Sequence, residues 1–325
     1  MADAGIIGAG AWGTALAQLA ARGDRRAVLW ARDPDHAREM RQSGENVRRL
    51  PGIKLAEGIL PTSDLSHLAA CRLIVLAVPT QVLRANLTLL APVLPETAPV
   101  VICVKGIERE TGHFPSQIVQ EILPANPVAV VSGPSFARDV AMGLPTAVTL
   151  ASRAGLSNAH VQAVLGAPWF RLYQSTDVLG VELGGAGKNV IAIACGIAAG
   201  RALGASAGAA LVARGFAELS RLGRNIGARS GTLMGLSGLG DLVLTCNSPQ
   251  SRNYAFGFAL GAGTKMAVSG IVEGAYTASV LARIAREREV DMPIVEAVDA
   301  VLAGRLEIDR AIGGLLERPS RGEAE

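Results

Sequence analysis

The sequence predicts an α/β fold class: an N-terminal, Rossmann-type doubly wound sheet over residues 1–180, followed by an all-α C-terminal domain over residues 181–325. Three observations predict it. A glycine-rich turn lies between the first strand and the first helix, and strands and helices then alternate over about 175 residues. After Asp177 strand patterns nearly vanish, and helical periods rich in Ala, Gly and Leu replace them.

Composition excludes several classes of protein. The chain has 325 residues, enough for two domains with large cores. Half of the residues are apolar and 18% are charged, which is typical of a globular and not a disordered chain. The net charge of +3 and the 4% of aromatic residues argue against nucleic-acid and membrane-surface binding.

The cysteines and histidines indicate the cellular compartment and whether a metal site is expected. The four cysteines are scattered without a CxxC pair, and we interpret them as reduced thiols of a cytoplasmic protein. The four histidines never approach another ligand at metal spacing, so no metal site is expected. We expect no signal peptide before the glycine motif, and the apolar run near Cys195 is judged too short and too rich in Gly and Ala to span a bilayer.

The first element is a strand, Ala4–Ile7, followed at once by a GxGxxG turn and a helix. The turn comprises Gly8, Ala9, Gly10, Ala11, Trp12 and Gly13. The first two glycines allow a tight turn and close approach of a pyrophosphate, and the third lets the helix pack on the strand. Phosphate oxygens would then meet free N–H groups at the helix N-terminus. This context predicts dinucleotide binding.

The second predicted strand, Ala27–Ala31, ends at Arg32 and Asp33. An acidic residue at this place accepts from the adenine ribose hydroxyls, whereas an arginine favours a 2′-phosphate. Because both residue types follow the strand, we expect NADP(H) to be accepted and leave the use of NAD(H) open. The alternative for Arg32 is a solvated loop charge.

The remaining strands are predicted from apolar runs of the kind that parallel sheets bury on both faces. Lys105 follows one of them, at the edge where open α/β sheets bind ligands, and is either a site residue or an exposed loop lysine. Gly133 and Ser135 follow another; Ser135 either caps the next helix or belongs to a loop over the cofactor or substrate. The predicted strands are a short one near Ile53–Leu55, then Leu73–Val78, Pro99–Val104, Val128–Val131, Thr146–Ala151 and Phe170–Gln174.

The helical half opens with an apolar helix over Val181–Arg201. From Val190 to Gly200 it carries no polar side chain on any face, which predicts burial. Lys188, preceding Asn189, shares a face with apolar neighbours. Either it snorkels to solvent at the helix end, or it is a desolvated lysine with a lowered pKa that moves a proton.

Two later stretches carry polar groups. A glycine-rich run, 235–242, delivers the single carboxylate of Asp241, with Thr245 one turn later. Ser251, Arg252 and Asn253 open a helix whose N–H groups, guanidinium and amide suit a phosphate monoester; the alternative is an ordinary capped helix with a surface arginine. Further helices are predicted over Ala207–Ile226 and about Thr277–Leu302, with a frayed tail over Arg318–Glu325.

From Gly8 to about Thr277 the chain strongly resembles the bacterial NAD(P)-dependent glycerol-3-phosphate dehydrogenases. Two positions depart from the usual pattern of that family. Ala11 stands where serine is common, and Gly187 where a larger residue often precedes the lysine. Neither departure removes a catalytic side chain. The resemblance rests on seven motifs in order: GAGAWGTALA, VICVKGIE, SGPSFA, VELGGAGKN, GLGDLVLTC, SPQSRN and VEG.

The resemblance implies reduction of dihydroxyacetone phosphate by NAD(P)H to sn-glycerol 3-phosphate, for glycerophospholipid synthesis. It implies that Lys188 is the general acid/base and that Lys105 contacts both substrate and cofactor. Other residues near the reacting oxygen would be Asn189, Asp241 and Thr245. Those implied to bind substrate are Gly133, Ser135, Ser251, Arg252 and Asn253. Those implied to bind cofactor are Gly8, Gly10, Ala11, Trp12, Gly13, Arg32, Lys105, Ala137, Arg252, Ile271 and Glu273.

Two other functions remain open at this stage. One is a dehydrogenase of the same two-domain plan acting on a different hydroxy acid or sugar phosphate, although the Ser-Arg-Asn stretch favours glycerol phosphate. The other is a non-catalytic NADPH-binding protein that retains the fold, although both Lys188 and Asp241 are present. The partner expected is a small phosphorylated substrate, without nucleic acid or integral membrane association, and the apolar helical half is consistent with a homodimer.

Overall fold

The computed structural model of the chain describes residues 2–153, 156–264 and 272–318. Within them, eight strands form one sheet in the order β3-β2-β1-β4-β5-β6-β7-β8. All neighbouring strands are parallel except β6 and β7, which are antiparallel. The strands are β1 (Ala4–Ile7), β2 (Ala27–Trp30), β3 (Ile59–Thr62), β4 (Ile74–Leu76), β5 (Val100–Ile102), β6 (Val128–Ser132), β7 (Thr146–Ser152) and β8 (Phe170–Ser175).

The winding of this sheet reverses at β1, which lies between β2 and β4. In an open α/β sheet such a reversal leaves a crevice at the carboxyl ends of the strands, where ligands bind. Successive residues of β1 pack into different apolar clusters, Ile6 on one face of the sheet and Ile7 on the other. Burial of both faces explains the continuous apolar runs, and it confirms the predicted fold class.

One predicted strand is wrong. The sequence analysis placed a short strand near Ile53–Leu55, but the third strand is Ile59–Thr62, and Lys54 forms only an isolated bridge with Glu45. Strand β3 lies at the edge of the sheet and contains Pro61. Proline removes one N–H donor, which an edge strand tolerates, so Pro61 is compatible with the position of β3 at the edge of the sheet.

Helices α1 to α6 connect the strands of the sheet, and α7 to α14 follow its last strand. They are α1 (Ala11–Ala20), α2 (Pro34–Ser43), α3 (Leu83–Leu90), α4 (Pro115–Ile122), α5 (Ala137–Ala141), α6 (Leu156–Leu165), α7 (Val178–Gly200), α8 (Ala205–Ile226), α9 (Ser230–Leu233), α10 (Asp241–Cys246), α11 (Arg252–Gly261), α12 (Glu273–Glu287), α13 (Pro293–Leu302) and α14 (Ile308–Leu316).

Helix α7 is the centre of the helical half. It is 23 residues long, so it is longer than the apolar run near Cys195 that the sequence analysis judged too short to span a bilayer. By length and composition it could cross a membrane, yet 89% of its most apolar window is buried inside the protein. An all-round apolar helix of this kind is the core element around which the other helices pack.

Three expectations for the later helices need correction. Helix α8 begins at Ala205 and not at Ala207. The region predicted as one stretch over Thr277–Leu302 consists of α12 and α13, because Pro293 occupies the first turn of a new helix. Helix α14 was not predicted, and the tail expected to fray lies outside the described residues beyond Arg318.

Candidate active site

Two lysines share one buried carboxylate at the junction of the sheet and the helices. The Nζ atom of Lys188 lies 2.5 Å from Oδ1 of Asp241, and that of Lys105 lies 2.7 Å from Oδ2. Lys188 also donates to the hydroxyl of Thr245 at 2.8 Å. Only 7% of Lys188 is exposed, so it does not snorkel to solvent. The four side chains come from the segment after β5, from α7 and from α10, and they meet within hydrogen-bond distance.

Close backbone packing at glycines positions Asp241 beside Lys188. A π-helical turn over Leu236–Gly240 precedes α10 and packs directly on α7. A Cβ atom on Gly184 would lie 2.6 Å from the carbonyl oxygen of Ser237, and one on Gly238 would lie 1.9 Å from that of Leu233. Backbone therefore packs on backbone here, and the glycine-rich run seen in the sequence allows this approach.

The electrostatics of the cluster favour proton transfer by Lys188. Burial lowers the pKa of Lys188 from 10.5 to about 8, the Lys105 cation contributes in the same direction, and Asp241 opposes both. For Asp241, burial by itself would raise the pKa, but the two lysines more than offset it and the pKa is lowered. Asp241 is therefore a carboxylate at neutral pH, beside a lysine whose pKa is close to the working range of an acid/base catalyst.

An amide chain connects this cluster to α11 and α12. Asn189 donates to the carbonyl oxygen of Lys105 at 3.1 Å and accepts from Nδ2 of Asn253 at 2.9 Å. Asn253 in turn accepts from the backbone N–H of Gly274 at 3.0 Å. Both polar ends of the Asn253 side chain are thus engaged with the protein.

The predicted phosphate-binding helix begins as expected at Arg252. Ser251 is its N-cap, and its hydroxyl accepts from the N–H of Tyr254 at 3.2 Å. Arg252 is exposed, whereas Ser251 is buried. Of the three residues expected to bind phosphate, Arg252 therefore has a solvent-accessible guanidinium, while the side chains of Ser251 and Asn253 hold the helix in place.

The loop after β6 departs from one expectation. Ser135 does not cap the following helix, because α5 begins at Ala137 with Phe136 at its N-cap position. The Ser135 hydroxyl instead donates to the carbonyl oxygen of Gly133 at 2.9 Å, closing a local turn. The same carbonyl accepts from Lys105 at 3.0 Å. Gly133 and Ser135 therefore lie beside the lysine cluster, as the interpretation of a ligand-facing loop requires.

The glycine motif has the geometry that a pyrophosphate needs. Gly8 has φ +111°, and a Cβ atom on Gly13 would lie 1.8 Å from the carbonyl oxygen of Gly8, so the turn admits no side chain at either position. A Cβ atom on Gly10 would meet nothing within 4 Å. Gly10 is the N-cap of α1. Because no side chain caps this helix, the N–H groups of its first turn are available to an anion.

The end of β2 holds the residues expected to select the cofactor. Arg32 is exposed. The Asp33 carboxylate caps α2 by accepting from the N–H of Asp35 at 3.0 Å and lies 2.9 Å from Nη1 of Arg48. Because Asp33 is engaged in these contacts, it is a poorer acceptor for ribose hydroxyls than an unpaired carboxylate, and the exposed guanidinium of Arg32 favours a 2′-phosphate.

The remaining cofactor candidates lie in different surroundings. Ala11 opens α1 and Ala137 opens α5, while Ile271 lies outside the described residues. The indole N–H of Trp12 is shielded from solvent and finds no hydrogen-bond partner within the described part of the chain. Glu273 accepts from the backbone N–H of Thr80, just beyond β4, at 2.9 Å, and burial raises its pKa.

Several residues of the site were not found from the sequence. Asn46 anchors the glycine motif by donating to the carbonyl oxygen of Ala9 at 3.1 Å and to Thr14 at 2.7 Å. Ser132, at the end of β6, has a buried hydroxyl without a partner among the described residues, and a Cβ atom on Gly185 would lie 2.6 Å from it. No local signal marks Asn46; the position of Ser132 at a strand end next to a predicted site loop could have marked it.

Known families match both halves of the chain. The sequence model described as the N-terminus of NAD-dependent glycerol-3-phosphate dehydrogenase matches residues 3–157. The model described as the C-terminus of the same family matches residues 177–313. The two matches cover strands β1 to β7, with the glycine motif and Lys105, and the helices that contain Lys188, Asp241 and Arg252.

Individual relatives agree with this. A protein of Beijerinckia indica named glycerol-3-phosphate dehydrogenase (NAD(P)+) is 58% identical over 322 residues, covering 98% of this chain and 96% of the relative. One from Azorhizobium caulinodans with the same name is 57% identical, covering 98% of each. Among solved structures, glycerol-3-phosphate dehydrogenase from Coxiella burnetii has a TM-score of 0.93 at 38% identity, covering 97% of this chain and 98% of that one.

Proposed function

The chain belongs to the family of NAD-dependent glycerol-3-phosphate dehydrogenases, and we propose that it reduces dihydroxyacetone phosphate to sn-glycerol 3-phosphate with NADPH or NADH, with Lys188 delivering the proton. The observation that carries the role of Lys188 is its buried contact with Asp241 and Thr245 beside a second lysine. Reduction of dihydroxyacetone phosphate is thus assigned a proton donor, a second cation and a binding helix in one place.

The cofactor fits the sheet crevice. Gly8, Gly10 and Gly13 would hold the pyrophosphate at the N-terminus of α1, and Arg32 would bind a 2′-phosphate. The unpartnered indole N–H of Trp12 and the buried carboxylate of Glu273 are the other candidates for contact. When bound, the nicotinamide supplies the hydride that the carbonyl carbon accepts.

The residues of this chain handle the charge and the proton. As the carbonyl carbon gains a hydride, its oxygen gains an electron pair, and Lys188 donates a proton from Nζ to that oxygen to form the hydroxyl group. Lys105 provides a second positive charge while the oxygen becomes negative. Asp241 and Thr245 hold the Lys188 ammonium in position, and a proton from solvent restores it after reaction.

Arg252 and the N–H groups of the first turn of α11 are assigned to the substrate phosphate. A guanidinium and a helix N-terminus both favour a doubly charged anion. Ser251 and Asn253 support this site by capping the helix and by connecting it to Asn189, and Gly133 and Ser135 complete the pocket beside Lys105.

The proposed function predicts a strict requirement for the phosphate group. We expect purified protein to oxidise NADPH rapidly with dihydroxyacetone phosphate, and at least roughly 10³-fold more slowly, in kcat/KM, with unphosphorylated dihydroxyacetone, because Arg252 and α11 then bind nothing. Absorbance at the nicotinamide band measures both reactions, and NADH in a parallel assay gives the cofactor preference. Equal rates with the two ketones, or no oxidation with protein that binds NADPH, would contradict the function.

We also propose a domain division, a cellular compartment and an oligomeric state. Residues 1–180 would form the cofactor domain and residues 181–325 the helical one, since β8 ends at Ser175 and α7 begins at Val178. All four cysteines are free and buried, which suits the reducing cytoplasm. A homodimer through the helical half is supported by its exposed apolar side chains, such as Leu203 and Leu316, and light scattering would test it.

A further inference from the structure

Helices α7 and α11 pack on each other backbone against backbone. A Cβ atom on Gly257 of α11 would lie 2.1 Å from the carbonyl oxygen of Ile193, and one on Gly261 would lie 2.3 Å from that of Ile197. The opposing atoms belong to the backbone of α7. A rotamer change therefore cannot make room for a methyl group at either position, and only a displacement of one helix can.

The contact is reciprocal. On α7, a Cβ atom on Gly196 would lie 2.1 Å from the carbonyl oxygen of Tyr254, and one on Gly200 would lie 2.3 Å from that of Phe258. Two glycines four residues apart on each helix thus face the backbone of the other, so the two helices interlock over about two turns. Packing of this density fixes both the separation of the helices and their position along their axes.

The register of this contact extends to the active site. Ile193 opposes Gly257 and Ile197 opposes Gly261, and in both pairs the residues are 64 apart in the sequence. The hydrogen bond from Asn253 to Asn189 joins residues with the same separation. The two helices therefore run parallel and in register over three successive levels. Continued by one residue, the same register brings Arg252 to the level of Lys188.

We propose that Gly196, Gly200, Gly257 and Gly261 are positioning residues, which hold the phosphate-binding end of α11 at the distance from Lys188 that dihydroxyacetone phosphate spans. This inference rests on the proposed function. A substrate held by its phosphate at Arg252 must present its carbonyl oxygen to Lys188. Because a misplacement of about 1 Å can cost roughly 10²-fold in rate, the glycine contact sets the efficiency of the phosphorylated substrate in particular.

The test compares Gly257→Ala with the matched control Gly208→Ala. Gly208 also lies inside a helix of this half, but a Cβ atom there would meet nothing within 4 Å. We expect Gly257→Ala to lower kcat/KM for dihydroxyacetone phosphate by roughly 10- to 100-fold, and to change kcat/KM for unphosphorylated dihydroxyacetone by less than about threefold, because Lys188, Lys105 and Asp241, which act at the carbonyl oxygen, do not belong to α11. The control should match the wild type with both ketones and in its NADPH affinity.

Other results would overturn the inference. Equal losses of kcat/KM with the two ketones would mean that Gly257 supports the fold or the whole site and not the phosphate position. If Gly257→Ala does not fold, Gly261→Ala, one turn further from the site, takes its place in the same comparison, and failure of both to fold would assign the glycines to folding alone. Failure of the wild type to reduce dihydroxyacetone phosphate would instead overturn the proposed function.

Discussion

Replacing Lys188 by alanine is expected to lower kcat for dihydroxyacetone phosphate by roughly 10⁴-fold, while NADPH affinity stays within about twofold of the wild type. The loss combines a missing proton donor with a missing cation at the developing negative charge, each of which typically contributes 10²-fold or more. The variant should fold, because Asp241 keeps its ion pair with Lys105 at 2.7 Å and is not left unpaired.

Stopped-flow or steady-state oxidation of NADPH measures this loss, and fluorescence titration measures cofactor binding. Lys54→Ala is the matched control, since Lys54 is an exposed lysine of the N-terminal part and should tolerate the same change. Turnover of Lys188→Ala within tenfold of the wild type would remove Lys188 from the proton-transfer step. A loss of NADPH binding in the same variant would point instead to a disturbed cofactor site.

The second large effect is expected for Asp241→Asn. This carboxylate is 1% exposed and neutralises two lysines, so its replacement leaves Lys105 and Lys188 facing each other without a counter-charge. Breaking a buried pair in this way costs about 3–5 kcal/mol of unfolding free energy. Because Asp241 raises the pKa of Lys188, its loss should lower that pKa further and depress kcat by roughly 10²- to 10³-fold at neutral pH.

Denaturant unfolding and the pH dependence of kcat/KM together test this variant. The alkaline fall in the reduction rate should move to lower pH than in the wild type, because a lysine with a lower pKa loses its proton earlier. Asp299→Asn is the control, since Asp299 is also a buried helical aspartate paired with one arginine, Arg305, and lies on α13 away from the cluster. An unchanged pH profile in Asp241→Asn would contradict the prediction that Asp241 raises the pKa of Lys188.

The parts of the fold that could be predicted are those with a local cause. Runs such as Val100–Ile102 are continuously apolar because helices cover both faces of the sheet, and this made most strands readable. The edge strand Ile59–Thr62 was not predicted; it is only four residues long and contains a proline, which a strand tolerates where the sheet ends. The antiparallel pairing of β6 and β7 leaves no trace in either strand by itself.

The site divides in the same way. Its glycine motif and the N-terminus of α11 are local features, and both lie where they were predicted. The meeting of Lys188 with Asp241 joins residues 53 apart and followed from the family resemblance, not from spacing. Asn46, Arg48 and Thr80 act only through tertiary contacts, so no pattern in their neighbourhood could have marked them.

Proton transfer by Lys188 is tested most directly by the pH dependence of kcat/KM of the wild type in both directions. With a Lys188 pKa of about 8, reduction of dihydroxyacetone phosphate needs the protonated lysine and should fall as the pH rises past 8. Oxidation of glycerol 3-phosphate needs the neutral lysine and should rise through the same pH. The phosphate group of the substrate titrates at about 6, so its inflection can be distinguished from that of Lys188. Profiles that change in the same direction, or that show no inflection above neutrality, would contradict the assignment of Lys188.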